Sequence, residues 1–178
     1  MHDPERETPW TTSHPRDKAA LYDELARELE ALLNGETDAV ANAANAAAAI
    51  YHALPALNWV GFYFLRGEAL VLGPFQGRPA CVRIMLGKGV CGAAALRRAP
   101  VLVADVAAFP GHIACDSESR SELVVPLLAG DRLLGVLDLD SPELGRFDAV
   151  DEAGCVRLAE IVARHLGAPD AVRAASHA

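Results

Sequence analysis

The chain has 178 residues, the length of one ordinary domain, and can bury a core without disulfide support. Its net charge of −8 and its scattered basic residues disfavour a nucleic-acid partner, because phosphate backbones attract clustered cations. The four cysteines are too few for a secreted disulfide scaffold. Neither a leader-like start nor an apolar run near the roughly 18 residues of a membrane span is found, so we expect a cytoplasmic protein without a membrane partner.

The first half of the chain predicts two helices followed by a β-hairpin. Four leucines recur at helical spacing within residues 17–33, namely Leu21, Leu25, Leu29 and Leu32. Asp38 can cap a second, alanine-rich helix over residues 39–54. Aromatic residues favour a strand over residues 58–65, and a turn leads from it into a second strand over residues 69–75.

The second half predicts further short strands, a long loop and a final helix. In chain order we expect a strand over residues 80–86, helical turns over 93–97, a strand over 101–103, an irregular segment over 105–121, strands over 122–128 and 133–140, and a helix over 147–166. The last two strands form a hairpin across Gly130-Asp131. This order predicts an α+β domain over residues 17–167, with tails over residues 1–16 and 168–178.

Three of the four cysteines, Cys81, Cys91 and Cys115, lie within 35 residues. A thiol-redox site needs a nucleophilic thiolate and a second thiol that can reach it. Cys115 is the candidate nucleophile because it lies in the long loop, three residues after His112; the alternative is that His112 is an ordinary loop histidine. Cys155 follows the helical spacing of the final helix, and we expect it to be buried.

Two other functions fit the same segment less well. Zinc could use Cys81, Cys91, His112 and Cys115, but structural zinc sites favour cysteines two to four residues apart, and the cysteine spacings here are 10 and 24. We therefore predict no metal site. Residues 87–92 resemble a phosphate-binding loop but lack its spacing and its trailing Ser or Thr, so their glycines more simply allow close approach to a small ligand.

Three acidic residues occur at the ends of the last two predicted strands. Glu122 begins one strand, and Asp138 and Asp140 end the next, so that the hairpin would bring these ends side by side. Charged groups inside an apolar strand are costly unless they bind something, although a solvated strand end is the alternative. The pattern indicates a polar binding site at this end of the hairpin.

Five motifs in this order resemble the free methionine-(R)-sulfoxide reductases, which are single GAF domains. They are Asn58-Trp-Val-Gly-Phe-Tyr, Gly73-Pro-Phe-Gln-Gly-Arg-Pro-Ala-Cys, Gly87-Lys-Gly-Val-Cys-Gly, Phe109-Pro-Gly-His-Ile-Ala-Cys-Asp and Gly135-Val-Leu-Asp-Leu-Asp-Ser. The similarity extends over residues 21–166. It implies a GAF domain with an antiparallel β-sheet of about six strands flanked by helices.

The resemblance also implies an activity, which is reduction of free L-methionine-(R)-sulfoxide with electrons from thioredoxin and without a bound cofactor. In this family the cysteine of the Gly-His-Ile-Ala-Cys-Asp motif attacks the sulfoxide sulfur, a role that falls to Cys115. The cysteine of the Pro-Ala-Cys motif resolves the sulfenic acid, a role that falls to Cys81. Cys91 matches the third family cysteine, an electron relay or a ligand contact. The family's substrate-binding residues match Trp59, Glu122, Asp138 and Asp140.

Three alternatives stay open at this point. A non-catalytic GAF module could bind a small molecule or sense oxidants, since fold alone does not determine function. Trp59 could be a plain core aromatic. The leucine-rich faces of the first or last helix could pair two copies into a homodimer, although a core-facing stripe has the same pattern.

Overall fold

A computed structural model of the chain describes residues 15–111 and 118–166. The described elements are α1 (Pro15–Leu33), α2 (Ala39–Ala53), β1 (Trp59–Arg66), β2 (Ala69–Gly77), β3 (Arg83–Met85), α3 (Gly89–Arg97), β4 (Val101–Val103), β5 (Ser121–Ala129), β6 (Arg132–Ser141) and α4 (Ala149–His165), with one 3-10 turn at Val106–Ala108. The strands form one antiparallel sheet in the order β3-β2-β1-β6-β5-β4. The predicted α+β fold, with about six strands flanked by helices, is confirmed.

The sheet has a hydrophobic cluster on each face. Successive residues of a strand point to opposite faces, so Val60 and Phe62 pack with α1, α2 and α4, whereas Trp59 and Tyr63 pack with α3 on the other side. Three long helices cover one face, and a single nine-residue helix covers part of the other. The face that carries α3 therefore keeps room for a pocket.

The predicted elements are largely confirmed, with differences at three places. The strand expected over residues 80–86 is only β3, and Cys81 lies in the loop before it, because backbone pairing with β2 begins only at the Val82 carbonyl oxygen, which accepts from the N–H of Leu72 at 3.0 Å. The helical turns expected over residues 93–97 begin earlier, at Gly89, so Cys91 lies in the first turn of α3 and not in a glycine turn. The final helix begins at Ala149, two residues later than expected.

The first helix also differs in the side chains that it buries. Leu25 and Leu29 are buried as predicted, but Leu32 is 42% exposed, and Tyr22 and Leu33 occupy the core instead. The buried residues follow the 3.6-residue period around the helix more closely than the four leucines do. Since α1 begins at Pro15, the helix also reaches two residues into the predicted N-terminal tail. The rest of both predicted tails lies outside the described residues, so the domain limits stay a prediction.

One buried carboxylate joins α1, α4 and the loop before α4. Asp151, fully buried, accepts hydrogen bonds from Tyr22 Oη at 2.9 Å and Lys18 Nζ at 2.6 Å, and both its oxygens lie within 3.2 Å of Arg146 Nη1. Arg146 also donates to the carbonyl oxygen of Pro55 at 3.1 Å. Two cations and a hydroxyl thus compensate a charge that would otherwise be costly to bury.

Cys155 lies beside this network and is fully buried, as predicted. Its Sγ is 3.7 Å from Tyr22 Oη. Burial raises the pKa of the Cys155 thiol to about 12, so the group stays protonated at neutral pH. Cys155 is a core residue and not a reactive thiol.

Within the described part of the chain, no helix is both long and apolar enough to cross a bilayer.

We predict that Asp151→Ala lowers the free energy of unfolding by about 3–5 kcal/mol, because it leaves the buried Arg146 without its counterion and Lys18 with only the exposed Asp148. The measurement is urea denaturation followed by circular dichroism. The matched control is Asp23→Ala, which removes an exposed ion pair with Arg157 and should cost less than about 1 kcal/mol. Equal losses in the two variants would contradict this role for Asp151.

Candidate functional site

A pocket opens on the α3 face of the sheet, at the end where β1, β5 and β6 meet. Its volume is about 530 Å³, including the space at its mouth. Residues from five parts of the chain line it, and they are Trp59, Tyr63, Arg78, Pro79, Ala80, Ile84, Lys88, Gly89, Val90, Cys91, Ser119, Glu122, Asp138 and Asp140. Of the site residues that the sequence predicts, this set contains Cys91 and the four substrate-binding candidates Trp59, Glu122, Asp138 and Asp140.

Strand register brings the three acidic residues together. Glu122 on β5 lies directly opposite Asp140 on β6, and Asp138 is two residues further along β6, on the same face. β1 flanks β6 on its other side, where Trp59 pairs with Asp140. The prediction that the hairpin places these strand ends side by side is therefore confirmed.

Trp59 forms the aromatic wall of the pocket. Its ring stacks on Phe75 at 5.3 Å between centroids and on Tyr63 at 5.9 Å, and its Nε1 donates to the carbonyl oxygen of Arg78 at 3.1 Å. A Cβ atom on Gly61 would lie 2.4 Å from the Trp59 ring, so only glycine leaves room for the indole here. The ring is rigidly held, and it lines the pocket as well as packing in the core.

Glu122 and Asp138 are two carboxyl groups buried side by side. Each residue is only 6% exposed. Burial raises the pKa of Asp138 to about 7, while hydrogen bonds from Cys91 and Glu122 act in the opposite direction. Burial, followed by the charges of Asp138 and Asp140, raises the pKa of Glu122 well above its usual range. Because two adjacent carboxyls in a dry site cannot easily both ionise, the pair holds a proton at neutral pH.

Cys91 lies against this pair and is 3% exposed. Its Sγ is 3.2 Å from Asp138 Oδ2 and 4.0 Å from Glu122 Oε1. Burial, and then the neighbouring acidic charges, raise the pKa of the Cys91 thiol well above its usual value. A nucleophilic cysteine needs a lowered pKa and access to substrate. Cys91 is therefore a protonated hydrogen-bond donor in this site.

Of the other two predicted thiols, Cys81 lies beside the pocket lining. Cys81 is partly exposed and follows Ala80, which lines the pocket. Cys115 and His112 lie outside the described residues. Ser119, four residues after Cys115, lines the pocket and accepts a hydrogen bond from Asn58 Nδ2 at 3.0 Å.

An exposed ion pair crosses between the same two segments. Arg78, three residues before Cys81, has its Nη2 3.0 Å from Glu118 Oε1, three residues after Cys115. Residues adjacent to both cysteine motifs thus converge on one pocket.

A metal could use part of the pocket. Among the described residues, Cys91, Glu122 and Asp138 bring one ligand-type atom each to within 4.8 Å of one another. Cys81 is not in this group, and structural zinc sites use four ligands, most often cysteine and histidine. The zinc set that the sequence suggested is therefore not assembled from its described members.

Some pocket residues do not stand out in the sequence. Tyr63 could have been found, because it is two residues after Gly61 and four after Trp59 on the same strand face. Arg78 and Ser119 could not, because neither lies in a regular element with a periodic pattern. Their places depend on how two loops fold over the sheet.

We predict that Asp138→Asn stabilises the unliganded protein at pH 8. In the unfolded chain Asp138 ionises near pH 3.8, whereas in the fold it keeps its proton to about pH 7, so the free energy of unfolding falls as pH rises across this window. The amide does not ionise, so the variant should be more stable at pH 8 by on the order of a few kcal/mol and show a weaker pH dependence. Denaturation at pH 5 and pH 8 measures both effects.

The matched control for this experiment is Asp131→Asn, the same chemical change at an exposed turn residue, which should leave the pH dependence unaltered. A decrease in stability at pH 8 on Asp138→Asn would contradict the buried carboxyl pair as described.

Three comparisons with known proteins place this geometry in a family. The family model described as "GAF domain" matches residues 26–167. The free methionine-R-sulfoxide reductase of Escherichia coli (strain K12) is 46% identical over 154 residues, which cover 86% of this chain and 93% of that protein.

Two solved structures are similar in both sequence and fold. The X-ray structure of free methionine-R-sulfoxide reductase from Neisseria meningitidis in complex with its substrate is 47% identical, with a TM-score of 0.82, over 87% of this chain and 92% of that one. A candidate GAF sensor protein from Burkholderia vietnamiensis is 56% identical, with a TM-score of 0.81, over 83% of this chain and 94% of that one. With the fold, the carboxyl pair and these identities over most of its length, the chain belongs to the free methionine-(R)-sulfoxide reductase family of GAF domains.

Proposed function

We propose that this protein reduces free L-methionine-(R)-sulfoxide to L-methionine, with Cys115 as the attacking thiol. The observation that carries the proposal is the buried Glu122–Asp138 pair, which holds a proton in a pocket that Trp59 also lines. Relatives that cover most of this chain are named for the same activity, and one was solved with its substrate.

The proposed chemistry balances over two thiols. The Cys115 thiolate attacks the protonated sulfoxide at sulfur, the sulfur–oxygen bond breaks, and the oxygen leaves as water, so that Cys115 is bonded to the methionine sulfur as a sulfonium. Water then attacks the Cys115 sulfur and the sulfur–sulfur bond breaks, which releases methionine reduced by two electrons and leaves Cys115 as a sulfenic acid. The Cys81 thiol then attacks the sulfenic sulfur, so that a Cys81–Cys115 disulfide forms and water departs. A dithiol, for which we propose thioredoxin, reduces the disulfide and restores both thiols.

The carboxyl pair makes the sulfoxide oxygen a better leaving group. A sulfoxide oxygen departs only when it is protonated or strongly hydrogen-bonded, and a carboxylic acid held neutral in a dry pocket can donate that proton. Glu122 is the candidate donor because its pKa lies well above the usual range. Asp138, whose pKa is raised to about 7, shares that proton with Glu122 before the transfer.

The rest of the pocket accounts for a free amino acid as substrate. Asp140 offers a carboxylate near the mouth for the ammonium group, beside the indole of Trp59 that would contact the methyl end. The substrate carboxylate would face the first turn of α3, where Gly89 and Val90 line the pocket. The side chain of Lys88, the N-cap residue, makes no capping hydrogen bond, so the first N–H groups of the helix can bind an anion. A methionine sulfoxide within a protein has neither charged group, so it would lose both contacts.

A second candidate function is a non-catalytic GAF module that binds a small molecule or senses oxidants. It is favoured by the fold itself and by the candidate sensor from Burkholderia vietnamiensis. Turnover separates the two functions, since a sensor would bind a ligand or oxidise its thiols without forming methionine.

Three further points belong to the proposal. We place the protein in the cytoplasm, where thioredoxin keeps thiols reduced. We propose that it needs no bound cofactor, because the thiols supply both electrons. A homodimer through α1 or α4 would have to use their outer faces, since Leu25, Leu29 and Leu158 are buried in the protomer's own core.

We predict that the purified protein forms methionine from free L-methionine-(R)-sulfoxide in the presence of dithiothreitol or of thioredoxin with its reductase and NADPH. Cys115→Ser should lower the rate by several orders of magnitude, because it removes the nucleophile. Cys155→Ser is the matched control, since it alters a buried thiol far from the pocket. The amino acid product is quantified by chromatography. No methionine from the wild-type protein would exclude the reductase and favour the binding module.

The N-acetylated substrate and the S epimer test the pocket in the same assay. Each should be reduced far more slowly than the free R epimer, because one lacks the ammonium group and the other places its oxygen away from the carboxyl pair.

We predict that one equivalent of substrate, supplied without reductant, leaves a Cys81–Cys115 disulfide. Peptide mass mapping after alkylation of free thiols identifies the pair. Cys81→Ser should still release one equivalent of methionine and then accumulate a sulfenic acid that dimedone traps. A disulfide between other cysteines would assign the resolving role to another thiol.

A further inference from the structure

We propose that Cys91 is a positioning residue that acts through Asp138, and that it is not one of the thiols oxidised in the reaction. The inference rests on the proposed function, since it concerns the same pocket. Its basis is the arrangement of hydrogen bonds around the Asp138 carboxyl group.

The two oxygens of Asp138 have different surroundings. Oδ2 lies 3.2 Å from Cys91 Sγ, whereas Oδ1 is buried and has no hydrogen-bond partner among the described residues. A buried, unpaired carboxyl oxygen is costly, and it persists where a ligand completes it. Because the thiol holds Oδ2, the other oxygen is left for the pocket that Asp138 lines.

The backbone holds Cys91 firmly in this place. A Cβ atom on Gly92 would lie 2.4 Å from the carbonyl oxygen of Met85, so α3 begins in direct contact with the end of β3. The N–H of Gly87 donates to the carbonyl oxygen of Gly92 at 2.8 Å, and the N–H of Gly92 donates to that of Lys88 at 3.0 Å. These contacts fix the first turn of α3, and the thiol cannot move to the pocket mouth unless the backbone of that turn is rearranged.

The chemistry of the thiol agrees with a donor role. Its raised pKa keeps the S–H proton in place at neutral pH, and the thiol is in contact with two acidic groups that would repel a thiolate. A thiol that must resolve a sulfenic acid needs the opposite properties, access and thiolate character. The partly exposed Cys81 meets the requirement for access.

The proposed role predicts a difference between two substitutions. Cys91→Ala removes the donor and should lower kcat/KM by about tenfold. This loss is at the lower end of the range for a hydrogen bond to a charged group, because sulfur is a weak donor. Cys91→Ser keeps a donor and should stay within about threefold of the wild-type protein. Neither variant should prevent the disulfide between Cys81 and Cys115.

A pH readout tests whether the effect passes through Asp138. The groups that face Asp138 are Cys91 from α3, Glu122 from β5 and Asp140 from its own strand, with Arg78 and Lys88 at the pocket rim. The Cys91 hydrogen bond lowers the pKa of Asp138, so its removal should raise that pKa. In a Cys115→Ser background, which binds substrate without turnover, Cys91→Ala should move the pH midpoint of binding upward, and Cys91→Ser should not.

Several outcomes would overturn the proposal. If Cys91→Ser loses as much activity as Cys91→Ala, or if a Cys91–Cys115 disulfide forms, Cys91 is a redox thiol. If Cys91→Ala has wild-type kinetics, the hydrogen bond is unimportant. Cys155→Ala is the matched control for removing a buried thiol, and Cys91→Val repeats the test without a donor if Cys91→Ala folds poorly. Failure of the wild-type protein to form methionine would instead refute the reductase itself.

Discussion

The cost of burying two carboxyl groups beside each other governs the organisation of this protein's pocket. Glu122 and Asp138 come from neighbouring strands, each nearly inaccessible to solvent, and both have a pKa raised by burial. A protein built for stability alone would place apolar residues there. In the proposed reaction the pair delivers a proton held in a dry site to the leaving oxygen, which an exposed carboxylate at neutral pH cannot do.

The fold supplies this environment by covering the two faces of its sheet unequally. Three long helices bury one face and form the larger core, which the Asp151 network ties to the chain before α4. The short helix α3 covers only part of the other face, so the ends of β1, β5 and β6 stay accessible through a narrow mouth. Small residues let α3 pack closely enough to place Cys91 against Asp138.

The same architecture serves sensors as readily as enzymes, so the fold does not distinguish the two functions. The pocket contents do. A sensor needs a cavity and a way to transmit its occupancy, whereas a reductase needs a proton donor and thiols that can reach the same point. This pocket has the carboxyl pair, and the segments adjacent to both Cys81 and Cys115 lie at its mouth.

The amino-acid sequence alone predicted most of the elements and the acidic residues that line the pocket. Alternating side chains, the turn at Gly130-Asp131 and the acids at both strand ends predict the β5–β6 hairpin and bring these strand ends side by side. The pairing of Glu122 with Asp140 depends on a register shift between Leu127 and Leu128, which the turn alone does not predict. Helical spacing likewise predicts that Cys155 is buried, as it is. The motifs identify the family because they extend over most of the chain.

Tertiary structure alone decided which carboxyl groups lie together and which thiol is buried against them. Cys91 is 31 residues from Glu122 and 47 from Asp138, and no sequence period brings a helix start against two strand ends. The loop positions of Cys81, Arg78 and Ser119 likewise depend on packing over the sheet. The sequence does not show whether a given cysteine or aspartate is exposed or buried. Only the folded chain sets the dielectric around each group, and this dielectric changes its protonation.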